Sequence, residues 1–215
     1  MQLPLDQCIL FYPVPKSSIG WGGGIWGNGG VVYHSTTPTG NTFNLFLATG
    51  NTLDTSQEWD FYGEHVVALN ASDLSVVNSW SVGGIVDNVE DGDLGATPAV
   101  FTPSASSGCQ TTLVAAQHKA GVMFVMAANN MSLLSHYQLA APTSSGQFIT
   151  TATYNSALNL LYVTSPSDVA ASASFHAAWH GLVAMSVQRD CSLKIEWNVT
   201  LGIPWSASDR NSNAP

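Results

Sequence analysis

Glu90-Asp91-Gly92-Asp93-Leu94-Gly95-Ala96-Thr97-Pro98 puts three acidic residues within four positions, in a chain where only 9% of residues are charged. The apolar run Ala99-Val100-Phe101 follows, so the stretch reads as an acidic loop feeding a buried strand. A carboxylate cluster there can ligate a cation, take a proton from a substrate, or lie solvated. Lys119 draws notice because the chain holds five Lys and Arg residues in all, although a turn lysine is ordinarily just exposed. His176-Ala177-Ala178-Trp179-His180 sets two histidines four apart, as on one face of a helix. It lacks the glutamate of H-E-x-x-H and reads as a loop or short helical insertion. Gly20-Trp21-Gly22-Gly23-Gly24-Ile25-Trp26-Gly27 mixes glycine with tryptophan, which suggests close backbone approach, with an indole laid over something flat or packed in a core.

The rest of the composition limits what these groups can serve. At 215 residues with 45% hydrophobic content, the chain can bury a sizeable core. Helix-forming Lys, Glu and Arg are scarce, so strands should dominate. A net charge of −9 opposes nucleic-acid binding, which needs clustered Lys and Arg, and permits cation binding. No apolar run reaches the ~18–20 residues of a membrane-spanning helix. Residues 1–15 lack a basic n-region and are broken by Pro4 and Pro13, so no signal peptide is read there. Cys8, Cys109 and Cys191 cannot all pair within the chain and fit no zinc spacing. Three N-glycosylation acceptors occur, Asn70-Ala71-Ser72, Asn130-Met131-Ser132 and Asn198-Val199-Thr200. Together with pairable cysteines they favour a secreted or otherwise extracytoplasmic protein.

The elements that must position the candidate groups repeat. The expected strands are 25–33, 44–49, 65–69 and 76–80 in a first unit. In a second they are 96–101, 112–117, 122–126 and 133–137, and in a third 148–154, 160–164, 182–186 and 193–197. Val67, Val125 and Val183 are 58 residues apart each time, and the closing aromatics Trp80, Tyr137 and Trp197 are 57 and 60 apart. Four short strands per unit at such a period predict β-propeller blades rather than a β-sandwich. The repeat units are 24–80, 95–137 and 147–197, with an extended lead-in over 1–23 and a linker over 206–215. Propellers close with roughly 4–8 blades, so the expected fold is an all-β, incomplete propeller of antiparallel four-stranded blades. Cys109 and Cys191 precede a second and a fourth strand of consecutive units. A disulfide between those blades is therefore expected, with Cys8 left for another partner.

Four segments carry a resemblance. Gly22-Gly23-Gly24-Ile25-Trp26-Gly27, Leu47-Ala48-Thr49-Gly50-Asn51, Asp91-Gly92-Asp93-Leu94-Gly95-Ala96-Thr97-Pro98, and Leu113-Val114-Ala115-Ala116-Gln117-His118-Lys119-Ala120-Gly121 resemble, in order, motifs of the quinoprotein alcohol dehydrogenase family. These are propellers that hold pyrroloquinoline quinone (PQQ) and Ca²⁺. By position, the resemblance implies that Trp26 underlies the quinone ring and that Asn51 and Asp91 give oxygens to calcium. It implies also that Asp91 is the general base and that Lys119 is the cation reaching the quinone carbonyls. The implied reaction is hydride transfer from a small-molecule or polymeric alcohol to PQQ, in a protein whose ring needs further blades. Glu90 and Gly92 stand where the family's acidic loop has Trp and Tyr, and no Cys-Cys dipeptide occurs. A second reading is therefore a non-catalytic propeller that kept its blades and serves as a binding or scaffold module. A third is a secreted β-protein binding carbohydrate or peptide through exposed tryptophans.

Overall fold

The computed structural model describes residues 10–13, 22–27, 29–35, 43–52, 61–83, 93–139, 150–165 and 181–200. Within them the chain forms strands β1 (Val32–Ser35), β2 (Phe43–Ala48), β3 (His65–Asn70), β4 (Val76–Ser81), β5 (Ala99–Phe101), β6 (Leu113–His118), β7 (Val122–Ala127), β8 (Leu133–Gln138), β9 (Thr153–Asn155), β10 (Leu160–Ser165), β11 (Gly181–Val187) and β12 (Leu193–Thr200). They make three antiparallel sheets, ordered β1-β2-β3-β4, β5-β6-β7-β8 and β9-β10-β11-β12. Each sheet is a meander in which every strand pairs with the next in sequence. The short first strands of successive sheets adjoin, β1 beside β5 and β5 beside β9, which is how blades gather around an axis.

Strand alternation explains why the sheets stack. In β6, Leu113 and Ala115 point to the third sheet, where they meet Leu161, Val163, Val183 and Met185. Val114 and Ala116 point the other way, to Phe46, Ala48, Val66 and Ala68 of the first sheet. The period of two therefore feeds two separate cores from one strand. All six residues of β6 and all six of β7 are buried, as expected of strands covered on both faces. The outer strands β4 and β8 alternate between exposed and half-buried positions. The disulfide expected from the sequence is present: Cys109 joins Cys191 with Cα atoms 5.1 Å apart across 82 residues, tying the second blade to the third.

The repeat extends to the turns between third and fourth strands. Asp73-Leu74-Ser75, Asn130-Met131-Ser132 and Asp190-Cys191-Ser192 recur at the interval of the closing aromatics. In each, the first residue's Oδ1 accepts the serine N–H, at 2.9 to 3.0 Å. The middle residue takes a left-handed φ of 57°, 56° and 66° in turn, a strained choice for a side-chain-bearing residue that the flanking hydrogen bonds must hold. Ser75 and Ser192 also donate their hydroxyls to Asp73 and Asp190. Their hydroxyl and then their backbone hydrogen bonds hold both carboxyls below the usual carboxylate range. A β-bulge accompanies each turn, at Ala68/Leu69, Val125/Met126 and Ala184/Met185.

All twelve expected strands exist, but the first of each blade is shorter than expected. Residues 22–27 lie along 50–52 instead of extending β1, with Gly23 N–H bonded to Asn51 O and Gly50 N–H to Gly24 O. In the second blade Pro98 has no N–H to give a ladder, so β5 begins at Ala99. Trp80 packs between blades against Phe124, with ring centroids 4.7 Å apart. Tyr137 reaches the next blade by accepting the Leu193 N–H. Trp197, the third closing aromatic, lies 40% exposed and packs on Tyr162 of its own blade, with no following blade to cover it among the described residues.

Candidate functional site

Asp93 joins the candidate residues. Its side chain is 1% exposed. One carboxylate oxygen accepts the Asn51 N–H at 2.7 Å and the other accepts the Lys119 ammonium. Its carbonyl accepts the Lys119 N–H at 2.9 Å. Lys119 Nζ lies 5.8 Å from the centroid of the Trp26 ring, within cation–π range. Trp26, Asn51 and Lys119, distant in sequence and drawn from two blades, are thus gathered at one end of the inner strands. Asp91 lies outside the described residues, as do His176 and His180.

Local sequence explains how the side chains are presented. In Thr49-Gly50-Asn51 each residue has a separate task. The Thr49 hydroxyl donates to Tyr62 O and accepts the His65 N–H, fastening the turn over Phe61–Glu64 to the end of β2. Gly50 lies where a Cβ would fall 2.3 Å from Asp93 Oδ1 and 2.4 Å from Trp26 Nε1. No larger residue lets the acid and the indole approach the same backbone. Asn51 then offers its N–H to Asp93. The glycine-rich stretch is held by its bonds to Gly50 and Asn51, which places Trp26 over this corner with 61% of its surface exposed. Gly27 meets the acidic loop in the same way, since a Cβ there would lie 2.1 Å from Thr97 N. The Thr97 hydroxyl accepts the Gly29 N–H at 3.0 Å.

Trp26 is therefore an open aromatic face and not a blade-core side chain. A half-exposed indole beside a cation held by a buried carboxylate can receive a flat, electron-poor or anionic ring, stacked on one side and polarised at its rim.

Sequence reasoning passed over three residues that shape this corner. Asp93 was read as one of three loop acids, yet it alone of the described acids bonds both Asn51 and Lys119. Its position two residues from Asp91, directly before Leu-Gly-Ala-Thr-Pro, was the available signal. Glu64 and His118 form the other feature. His118 is 2% exposed, and its Nδ1 accepts the Ala120 N–H at 3.0 Å. The ring proton therefore sits on Nε2, which has no hydrogen-bond partner among the described residues and lies 3.8 Å from Glu64 Oε1. Glu64 has a left-handed φ of 51° and gives its N–H to Gly50 O, so this pair backs directly onto the Gly50 corner. Next to it, burial pushes the His65 imidazole below its usual pKa, opposed in part by the Gly63 carbonyl and the Glu64 charge. Among the described residues no three His, Cys, Asp or Glu side chains converge as a metal cluster, and no helix is long and apolar enough to cross a membrane.

Comparison with protein-family models and with curated proteins finds no match. Solved structures do match. The chain is similar to a europium-containing methanol dehydrogenase at 13% identity and a TM-score of 0.54, over 85% of this chain and 40% of that one. It also aligns with the quinohemoprotein alcohol dehydrogenase from Comamonas testosteroni at 13% identity and a TM-score of 0.47, over 73% of this chain and 26% of that one. The chain thus spans less than half the length of either. Three four-stranded antiparallel blades, set around an axis and matched to the first of these structures, identify the fold as that of a quinoprotein alcohol dehydrogenase-like propeller, present over part of its ring.

Proposed function

We propose that this chain is the quinone-bearing sector of an extracytoplasmic, PQQ- and Ca²⁺-dependent alcohol dehydrogenase-like oxidoreductase. The observation that carries the reading is the exposed Trp26 ring beside the Lys119–Asp93 pair, at the corner where Asn51 also lies. When bound, PQQ supplies the hydride acceptor and Ca²⁺ the Lewis acid that polarises its carbonyl. Trp26 gives the flat face on which a planar ring rests. Lys119 gives hydrogen-bond donors at the rim, and Asp93 fixes where its ammonium stands. Asn51 and Asp91 give the hard oxygens that calcium prefers. Asp91 also takes the hydroxyl proton of a small-molecule or polymeric alcohol as the base. The Cys109–Cys191 disulfide and the three glycosylation acceptors support an oxidising, extracytoplasmic setting. Three blades do not close a ring, so further blades are the partners that complete the cofactor cage.

The test is dye reduction by alcohols after loading the ring-closed protein with PQQ and Ca²⁺. Asp91→Asn should lower turnover by about 10²–10⁴-fold, the usual size of a general-base effect. Turnover unaffected by that change removes Asp91 as the base.

Two observations favour a non-catalytic propeller instead. The Lys119 ammonium is already bonded to a buried carboxylate, and Glu90 and Gly92 replace the aromatic residues of the family's loop. Calorimetry separates the readings, because a scaffold binds neither PQQ nor Ca²⁺.

A further inference from the structure

The three turns that close the third and fourth strands use the same Asx-x-Ser fastening, but not the same first residue. Asp73 and Asp190 stand in the first and third blades, and Asn130 in the second. Each turn uses one acceptor, Oδ1. A carboxylate meets that need as well as an amide does, so the Asn130 Nδ2 is surplus to the turn. It is bonded to no described residue, and Asn130 is exposed. The neighbouring Met131 is buried, at 2% exposure, which anchors the turn beneath it. Asn130-Met131-Ser132 is also an N-glycosylation acceptor.

The other two acceptors lie in strands and not in a turn, although Asn70 Oδ1 likewise accepts the Ser72 N–H, at 2.8 Å. Asn70 is half-buried at the end of β3, beside a hollow lined by Tyr33 and Phe43. Its backbone N–H and carbonyl are both bonded within the turn, to Ser75 and Leu74. Asn198 lies within β12, paired with Val183 of β11.

We propose that Asn130 is an N-glycosylation site, carrying its glycan on Nδ2 while Oδ1 keeps the turn. This rests on the extracytoplasmic reading above. The donor is an oligosaccharide linked to a lipid diphosphate. The Nδ2–C1 bond forms as the bond from C1 to the diphosphate oxygen breaks, the lipid diphosphate leaves as an anion, and one amide proton passes to solvent. No electrons change hands. The glycan then stands on the outer rim of the second blade, near the contact in which Asn78 Nδ2 donates to Asn129 O, away from the Trp26 corner.

The experiment is secretion of the full chain from a eukaryotic host, followed by amidase release in heavy-oxygen water and peptide mass spectrometry. The peptide containing Asn130 should carry the label, and the intact chain should lose one glycan's mass. Asn130→Asp keeps the turn acceptor, as Asp73 and Asp190 do, and should abolish the shift without changing the melting curve beyond loss of the glycan. Ser132→Thr should retain it. An unmodified Asn130, or modification confined to Asn70 or Asn198, overturns the proposal. A free-thiol count on the same sample locates the failure. Intact Cys109–Cys191 with bare Asn130 sinks this inference alone, whereas reduced Cys109 and Cys191 sink the extracytoplasmic reading with it.

Discussion

Asp93 and Lys119 should contribute unequally to stability, and the inequality follows from their burial. The Asp93 side chain is 1% exposed and that of Lys119 15%. Lys119→Met leaves a carboxylate shut away from water without its cation, and breaking a buried pair in this way costs about 3–5 kcal/mol. Asp93→Asn keeps an oxygen for the Asn51 N–H and leaves the ammonium on the side with access to water. Only the charge-assisted part of the bond is lost, about 1.5–2 kcal/mol. In the double variant the amide still holds Asn51 and no charge is stranded, so the total should be only about 2–3 kcal/mol. The two single costs, about 4.5–7 kcal/mol together, then exceed the double by about 2.5–4 kcal/mol, at or above the upper range for residues in direct contact. Urea unfolding, compared at constant m-value, measures all three. Costs that simply add, or a Lys119→Met variant no weaker than Asp93→Asn, would refute the claim that a buried carboxylate anchors this corner.

Three other outcomes are expected. Replacing Cys109 and Cys191 together by serine opens an 82-residue loop, which costs about 4.5 kcal/mol by chain entropy; thermal melts with and without reductant should show the wild type falling to the level of the double variant, which itself should not respond. Gly50→Ala forces its methyl onto Asp93 and Trp26 and should cost about 2–4 kcal/mol, with Trp26 fluorescence shifting as the indole is displaced; an unshifted spectrum at wild-type stability contradicts the packing. The lowered pKa of buried His65 means the unfolded chain binds its proton first as pH falls. Its contribution is full above the unfolded pKa of about 6.5 and is lost as pH drops through the folded value, with a slope of at most about 1.4 kcal/mol per pH unit. Urea midpoints between pH 7 and 5 should fall less steeply in His65→Gln, and identical slopes would contradict this.

The architecture was legible because packing repeats. Val67, Val125 and Val183 all lie in buried third strands, though at the bulge Val125 aligns with Ala68; the closing aromatics Trp80, Tyr137 and Trp197 keep a stricter register, seven residues after Asp73, Asn130 and Asp190. The blade is thus written three times over in the hydrophobic pattern. The disulfide was legible once Cys109 and Cys191 were located before a second and a fourth strand of consecutive blades. The site was legible only in part. Trp26 and Lys119 stand out locally, by a Gly-Trp stretch and by the scarcity of basic residues, but their grouping with Asn51 came from motif order alone. Asp93 was not distinguished from Asp91 and Glu90, because what sets it apart is its bond to Asn51, 42 residues upstream, and to Lys119, 26 downstream. Such pairings depend on how loops from different blades meet, and no period in the sequence encodes them. The Glu64–His118 pair escaped for a related reason. Glu64 closes a turn and His118 ends a strand, and only the stacking of the first blade on the second brings them within 3.8 Å. The expected strand over 25–33 was overlong because its glycines weaken a strand, and here the stretch gives its hydrogen bonds to neighbouring loops.

The central claim is that the Trp26 face receives a planar quinone at the corner set by Asp93 and Lys119. Calorimetric titration of the ring-closed protein with PQQ in the presence of Ca²⁺ tests it most directly, run beside Trp26→Ala. The account predicts saturable, calcium-dependent binding that weakens by about tenfold or more in the variant, the loss of one aromatic stacking contact. No binding to the wild type, or equal binding to both, would contradict it.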